Sequence, residues 1–292
     1  MYTIKVNYLS LHPNNTPVNN YLAFEMKKFM NPLVDAGFKR IFGRKKYMME
    51  FLNDLLPLQR PIEKITFIDK ELTPKTVKDH GVVYDLYCQT HDGKQFVVEM
   101  QYKKHSNFKE RTVYYMARSI AEQSRLHDDD EQKPWNYKLL PVYCIYLLNF
   151  SLEGKQKSQK KRKVMLIDQN TNEVFYDKMT MFFFELPSYD SSYCHEDMCV
   201  DNIDKWLYIL VNMNRFKTFP FKDNKPIFTQ MEELANLATF SKEEMDAYEK
   251  SLDRYRTTQL ALSYSHEEGL AKGLRKGRKE GRKECREEGR KE

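Results

Sequence analysis

Three polar side chains, Asp85, Glu99 and Gln101, sit in the otherwise strand-like stretch GVVYDLYCQTHDGKQFVVEMQ at residues 81–101. Acids are poor strand formers, so a pair of them on neighbouring strands invites chemistry: a shared proton, or a divalent cation held between two carboxylates. That chemistry requires the two side chains to meet. If Asp92-Gly93 is a two-residue turn, His91 pairs with Lys94, Asp85 falls opposite Met100 and the acids point to opposite faces. If the loop is His91-Asp92-Gly93, with Gly93 left-handed in a bulge, Thr90 pairs with Lys94 and Asp85 lies opposite Glu99. The two Cβ atoms are then about 4.5–5.5 Å apart.

The residue pattern selects the second register. Tyr84, Leu86, Cys88, Phe96, Val98, Met100 and Tyr102 form one apolar face, and Asp85, Tyr87, Gln89, Gln95, Glu99 and Gln101 a more polar one. Only the three-residue loop keeps each face homogeneous across both strands. Facing carboxylates repel, which a shared proton or a divalent cation offsets; two carboxylates, a carbonyl and water suit Mg2+ or Mn2+. A solvent-exposed hairpin face, on which acids are harmless, fits the same alternation.

The elements that must hold this hairpin read as follows. Residues 21–56 are helical in pattern, with Met48, Phe51, Leu52, Leu55 and Leu56 leading to a stop at Pro57. Strand-like KITFIDKEL precedes the hairpin, and a long helix over 106–126 follows it. YKLLPVYCIYLLNF, at 137–150, is nearly all apolar and predicts a strand buried on both faces. KVMLIDQNTNEVFYDKMTMFFFELPSY predicts further strands around the turn QNTNE, and DNIDKWLYILVN begins a helical part running to about residue 265. Beyond it, Gly269, Gly273, Gly277, Gly281 and Gly289 recur among Lys, Arg and Glu, with Cys285 in the gap. Each glycine costs about 1 kcal/mol in a helix, so the isolated tail is expected to order poorly unless a partner holds it.

The chain has 292 residues, enough to bury a sizeable core, and its 41% hydrophobic content excludes a wholly disordered protein. A net charge of +6 tolerates a polyanion without demanding one. No basic cluster followed by an apolar run opens the sequence, and no apolar run approaches the roughly 18–20 residues of a membrane span. Cysteines are five, irregularly spaced, and two lie in strand-like runs, so a reducing cytoplasm is expected. CHEDMC at 194–199 lacks the second pair of ligands a structural zinc site needs. There is no Ser-His-Asp order, phosphate-cradling Gly loop or dinucleotide fingerprint, so no organic cofactor is expected.

An acid in one strand, Glu-x-Lys or a variant in the next, and then a long helix resembles the PD-(D/E)XK nucleases, and in particular their recombination-promoting nuclease and transposase branch. The matching pieces are DAGFKRIF, VYDLYCQTHDGKQFVVEMQ, FKERTVYYMARSI, YKLLPVYCIYLLNF, MFFFEL and DKWLYILVN, in order over about residues 31–212. The resemblance implies an α/β, restriction-endonuclease-like mixed sheet flanked by helices, with Asp85 and Glu99 as metal ligands and the Met100 carbonyl as a third. It implies Mg2+-dependent cleavage of DNA, with Mn2+ as a substitute. Where the usual pattern has Lys, this chain has Gln101, which can orient a water but brings no charge. Lys103, two residues on, is a candidate to reach back across the roughly 6.6–6.8 Å of strand. Asp35, in the family's opening motif, is either a further acid near the metal or a helix cap. The organisation that follows is an N-terminal extension at 1–20, the nuclease-like domain at 21–215, a helical C-terminal region at 216–265 and the Gly-periodic tail at 266–292.

DNA is the expected partner. On the helix after the hairpin, Arg111, Tyr115, Arg118 and Glu122 share a stripe with Tyr114 and Arg125 beside it, while Phe108, Thr112, Met116 and Ile120 would pack on the sheet. Arg111 and Tyr114 match the family's R-x-x-Y-Y pattern. The run KQKSQKKRK, ending in Lys160, Lys161, Arg162 and Lys163, is either a phosphate grip or a loop between strands. Two rival readings stand beside the nuclease: a DNA-binding module weakened at Gln101, and a scaffold that forms homo-oligomers through its tail.

Overall fold

The loop at 91–93 sets the register of the central sheet. In this structure, a computed structural model, residues 27–56, 58, 60–68, 71–72, 82–125, 137–153 and 160–288 are described. The expected extension at 1–20, the start of the first helical stretch and the basic residues 155–159 lie outside them. Gly93 adopts φ 86°, Thr90 N–H donates to Lys94 O at 2.9 Å, and Gly93 N–H returns to Thr90 O at 3.0 Å. Strands β4 (Leu86–Thr90) and β5 (Gln95–Gln101) therefore pair antiparallel with Leu86 opposite Val98 and Cys88 opposite Phe96, the register that puts residue 85 level with residue 99.

Around this hairpin a six-stranded sheet forms in the order β1-β4-β5-β6-β8-β7, where β1 is Ile65–Phe67, β6 Val142–Leu148, β7 Lys161–Ile167 and β8 Val174–Glu185. β2 (Glu71–Leu72) and β3 (Val82–Val83) make a separate small pair. Helix α3 (Phe108–Arg125) carries the chain over one face so that β6 joins β5 parallel, the βαβ crossover that a parallel neighbour requires. β6 is parallel to β8 on its other side, and buried on both faces, as its all-apolar composition predicts. The turn QNTNE closes β7 onto β8, with Asp168 N–H donating to Glu173 O and Asn172 at φ 59°.

The molecule is thus three layers. On one face, Phe108, Thr112, Met116, Ser119 and Gln123 of α3 lie over Tyr87, Val97, Tyr146 and Phe183. On the other, Cys88, Phe96, Val98, Met100, Ile145 and Phe184 meet α1 (Asp35–Phe42), α2 (Lys45–Leu55), α4 (Asn202–Asn212) and α5 (Pro226–Ala235), centred on Trp206 and Phe51. Tyr84 departs from the expected alternation. Asp85 forms a bend between β3 and β4, so Tyr84 turns to the α3 side, where its hydroxyl meets Ser119 Oγ at 2.8 Å. The polar face of the hairpin is not a wet one, because α3 covers it.

The C-terminal part also departs from expectation. Helix α6 (Lys242–Glu288) runs unbroken across residue 265 and through the glycine repeat, where an isolated tail should fray. Its base is anchored: Asn31 N–H donates to Tyr248 Oη at 2.7 Å and Ala36 N–H to Ser251 Oγ at 3.1 Å. Among the described residues no helix is long and apolar enough to cross a membrane.

Gly93 is the position at which a side chain disturbs this frame. Its φ disfavours L-residues, and a Cβ would stand 2.5 Å from Leu140 Cδ1. Gly93→Ala is expected to lower the unfolding free energy by about 1–2 kcal/mol, read as a reduced urea midpoint at unchanged slope.

Candidate active site

The antiparallel ladder stops at Leu86 and Val98, and beyond it side chains take over from backbone. Asp85 N–H donates to Glu99 Oε1 at 3.0 Å, and Met100 N–H donates to Asp85 Oδ2 at 2.7 Å. Each acid thus holds a backbone amide at the opposite strand's end, and the two carboxylates converge on the α3 side. Gln101 is buried beside them and gives its amide Nε2 to Glu99 Oε2 at 2.9 Å.

Glu99 is only 2% exposed. Burial, and then the negative charge of Asp85, push its pKa from 4.5 up to about 8. The Asp85 amide, the Arg111 charge and the Gln101 amide oppose that rise without cancelling it. Arg111 stands on the first turns of α3, its Nη2 donating to Tyr115 Oη at 2.8 Å with the guanidinium over that ring. It supplies positive charge to Glu99 from the helix side, where the strand itself offers only Gln101.

Tyr102 bounds the site on its other flank. Its hydroxyl donates to Leu33 O just before α1, and the Tyr255 ring of α6 meets it edge-on at 5.6 Å. Burial, then the charges of Asp85 and Asp35, raise the Tyr102 pKa, so both acids lie within electrostatic reach of one phenol. Asp35 opens α1 one residue past the N-cap position, which Val34 takes, and its carboxylate pairs with Lys39 at 2.7 Å.

The remaining candidates divide. Lys103 lies in an exposed bend past the end of β5 and makes no hydrogen bond or ion pair among the described residues. Tyr114 is exposed on α3, and Arg118 beside it is half-buried, with Nε and Nη2 unpartnered. Lys161, Arg162 and Lys163 begin the edge strand β7, three strands from β5, so about 14 Å across the sheet. Lys161 pairs there with Asp201 and Asp204, and Arg162 with Glu153 and Glu185, while Lys160 lies over the Tyr189 ring. Cys194 and Cys199 are buried with their thiols toward His195 O, and the described residues hold no group of three or more His, Cys, Asp or Glu that could hold a metal ion. The alternation of the hairpin did not point to Tyr102 or to Tyr255. Tyr102 adjoins Gln101 in the chain, whereas Tyr255 carries no local signal at all.

The family model for PD-(D/E)XK nuclease family transposases matches residues 32–265, from the turn before α1 to the middle of α6. The chain belongs to that family. No curated protein and no solved structure matches it. For a PD-(D/E)XK chain the donor set at the hairpin fits a hard divalent cation: two carboxylates on one face, a raised Glu99 pKa that a cation would lower, and a neighbouring strand-end carbonyl at Met100.

The raised Glu99 pKa has a signed consequence. Between pH 4.5 and about 8 the folded chain keeps a proton that the unfolded chain releases, so stability falls as pH rises through that window. In chelator, the melting temperature of the natural chain relative to Glu99→Gln is expected to drop between pH 5 and pH 8. Added Mg2+ should recover it at pH 8, since binding to the ionised pair stabilises the folded state. A pH-independent difference between the two chains would contradict the assignment.

Proposed function

We propose that this PD-(D/E)XK chain is a divalent-metal-dependent DNA endonuclease that hydrolyses phosphodiester bonds, acting in DNA recombination or mobile-element movement. The observation that carries the reading is the buried Asp85–Glu99 pair, interlocked by backbone hydrogen bonds at the open end of the hairpin. Asp85, Glu99 and the Met100 carbonyl would hold Mg2+, with Mn2+ as a substitute. A divalent cation held there would supply Lewis-acid polarisation of the phosphate and offset charge on the leaving oxygen.

The chain's own side chains do the positioning. Asp85 fixes the Met100 amide, and so the end of β5, while Glu99 fixes the Asp85 amide. Gln101 occupies the place of the usual lysine and orients water through its amide without adding charge. Arg111 provides the positive charge that Gln101 lacks, at the face where developing negative charge on a phosphate needs it. Tyr114 and Arg118, farther along α3, are the groups to meet flanking phosphates, and Asp35 bounds the site near Tyr102. Lys103 serves as an exposed cation at the mouth, and Lys160, Lys161, Arg162 and Lys163 as a more distant basic edge.

The test is nicking of supercoiled plasmid by the purified protein in Mg2+, Mn2+ or chelator, beside Asp85→Ala, Glu99→Gln and Arg111→Gln. Metal-dependent nicking is expected, with each acid variant slowed at least about a hundredfold and Arg111→Gln slowed by about tenfold or more. DNA binding without nicking in any metal would replace the nuclease with a binding module whose site fails at Gln101.

A further inference from the structure

We propose that the cationic half of α6 between residues 270 and 282 lies along the phosphate backbone of DNA engaged at the acids, as a sequence-independent arm. This rests on the DNA reading above and extends it to a surface outside the residues matched by the family model.

Charge is the first observation. Residues 270–282 carry six cations against one acid, Glu280, a surplus of five in a chain whose whole surplus is six. About four turns of one helix thus form a dense positive stretch. The distribution around that helix is the second. Arg275, Arg278 and Arg282 share a face with Ala271 and, with Leu274 and Lys279, line a shallow groove. Lys272, Lys276 and Lys279 occupy the adjoining face. Gly269, Gly273 and Gly277 fall on the opposite side, where a Cβ would find no atom within 4 Å. A helix charged for solubility alone would spread its cations all round; here they keep to one half.

Pairing is the third. Glu280, and Glu268 just before this stretch, are matched to lysines, Glu268 with Lys272 at 2.7 Å and Glu280 with Lys276 at 3.7 Å. The three arginines are exposed and form no ion pair among the described residues. Arginine forks suit phosphate oxygens, and a polyanion answers all three at once. A second copy of this helix against the arginine face would bring like charge to like charge, so self-association through that face is the poorer match.

Placement is the fourth. The base of α6 touches the rim of the site through Tyr255 on Tyr102 and Ser251 on the first turn of α1. From Tyr255 to Arg275 the helix rises about 30 Å, close to one turn of a DNA duplex. DNA lying over the acids and the arm would meet both.

The test compares the full natural chain with the Arg275→Gln/Arg278→Gln/Arg282→Gln and Arg275→Glu/Arg278→Glu/Arg282→Glu variants. Binding to labelled duplexes of about 12 and about 40 base pairs is measured in chelator over a salt series, with plasmid nicking in Mg2+ at saturating DNA alongside. On the long duplex, the Gln variant is expected to bind about tenfold more weakly, with a salt slope shallower by up to about three, and the Glu variant more weakly still. On the short duplex the three chains should agree, and the nicking rate at saturation should be unchanged. Equal affinities and slopes on the long duplex, with nicking intact, would remove the arm and leave the nuclease standing. A change in solution mass with an unchanged slope would overturn it in favour of self-association. If the natural chain neither binds nor nicks DNA in any metal, the nuclease reading itself falls and the arm with it.

Discussion

Two hydrogen bonds hold the candidate site in place: the Asp85 amide to the Glu99 carboxylate, and the Met100 amide to the Asp85 carboxylate. They stand where the hairpin's backbone ladder ends, so the acids replace the next ladder step rather than decorate it. Removing either carboxylate strands a backbone donor as well as deleting a charge. The bend at Asp85 follows from this exchange, and so does the turn of Tyr84 to the α3 face. Alternation fails at the first acid of the candidate site.

The pair is held under electrostatic tension. Helix α3 seals the polar face of the hairpin, and the price is a buried carboxylate that prefers its proton near neutral pH. Uncompensated like charges in a low-dielectric setting persist only where the surrounding fold over-determines them. Here that support is visible: the parallel β5–β6 pairing on one side, Tyr84 locked to Ser119 on another, and Arg111 stacked on Tyr115 above. Stability surrendered at Glu99 is offset by a core of aromatic contacts around Trp206, on the face away from the acids.

Much of this could be read in the residues. Period-two alternation on both sides of Asp92-Gly93 gave one self-consistent register, and the apolar run at 142–148 announced a strand with neighbours on both faces. Those are local signals. Arg111 was placed on the helix by its spacing, but its effect on Glu99 depends on the crossover angle, which no spacing encodes. Tyr255 reaches the site from more than a hundred residues away, through the packing of α6 on α1. The basic run before β7 was ambiguous because its acids, Asp201, Asp204, Glu153 and Glu185, are scattered along the chain. Glycine's helix penalty is an average over isolated peptides, whereas α6 begins as an anchored helix and only has to propagate through the tail.

The bulged loop after Thr90 has a consequence for descent. Side chains in a strand change face with every residue, so one codon inserted or deleted between Thr90 and Lys94 would carry Glu99 out from under α3 and into the aromatic core beyond. Point changes in that loop perturb energy by increments; changes in its length invert a surface. For descent, the number of residues at this turn therefore matters more than the identity of His91 and Asp92, whose side chains are exposed.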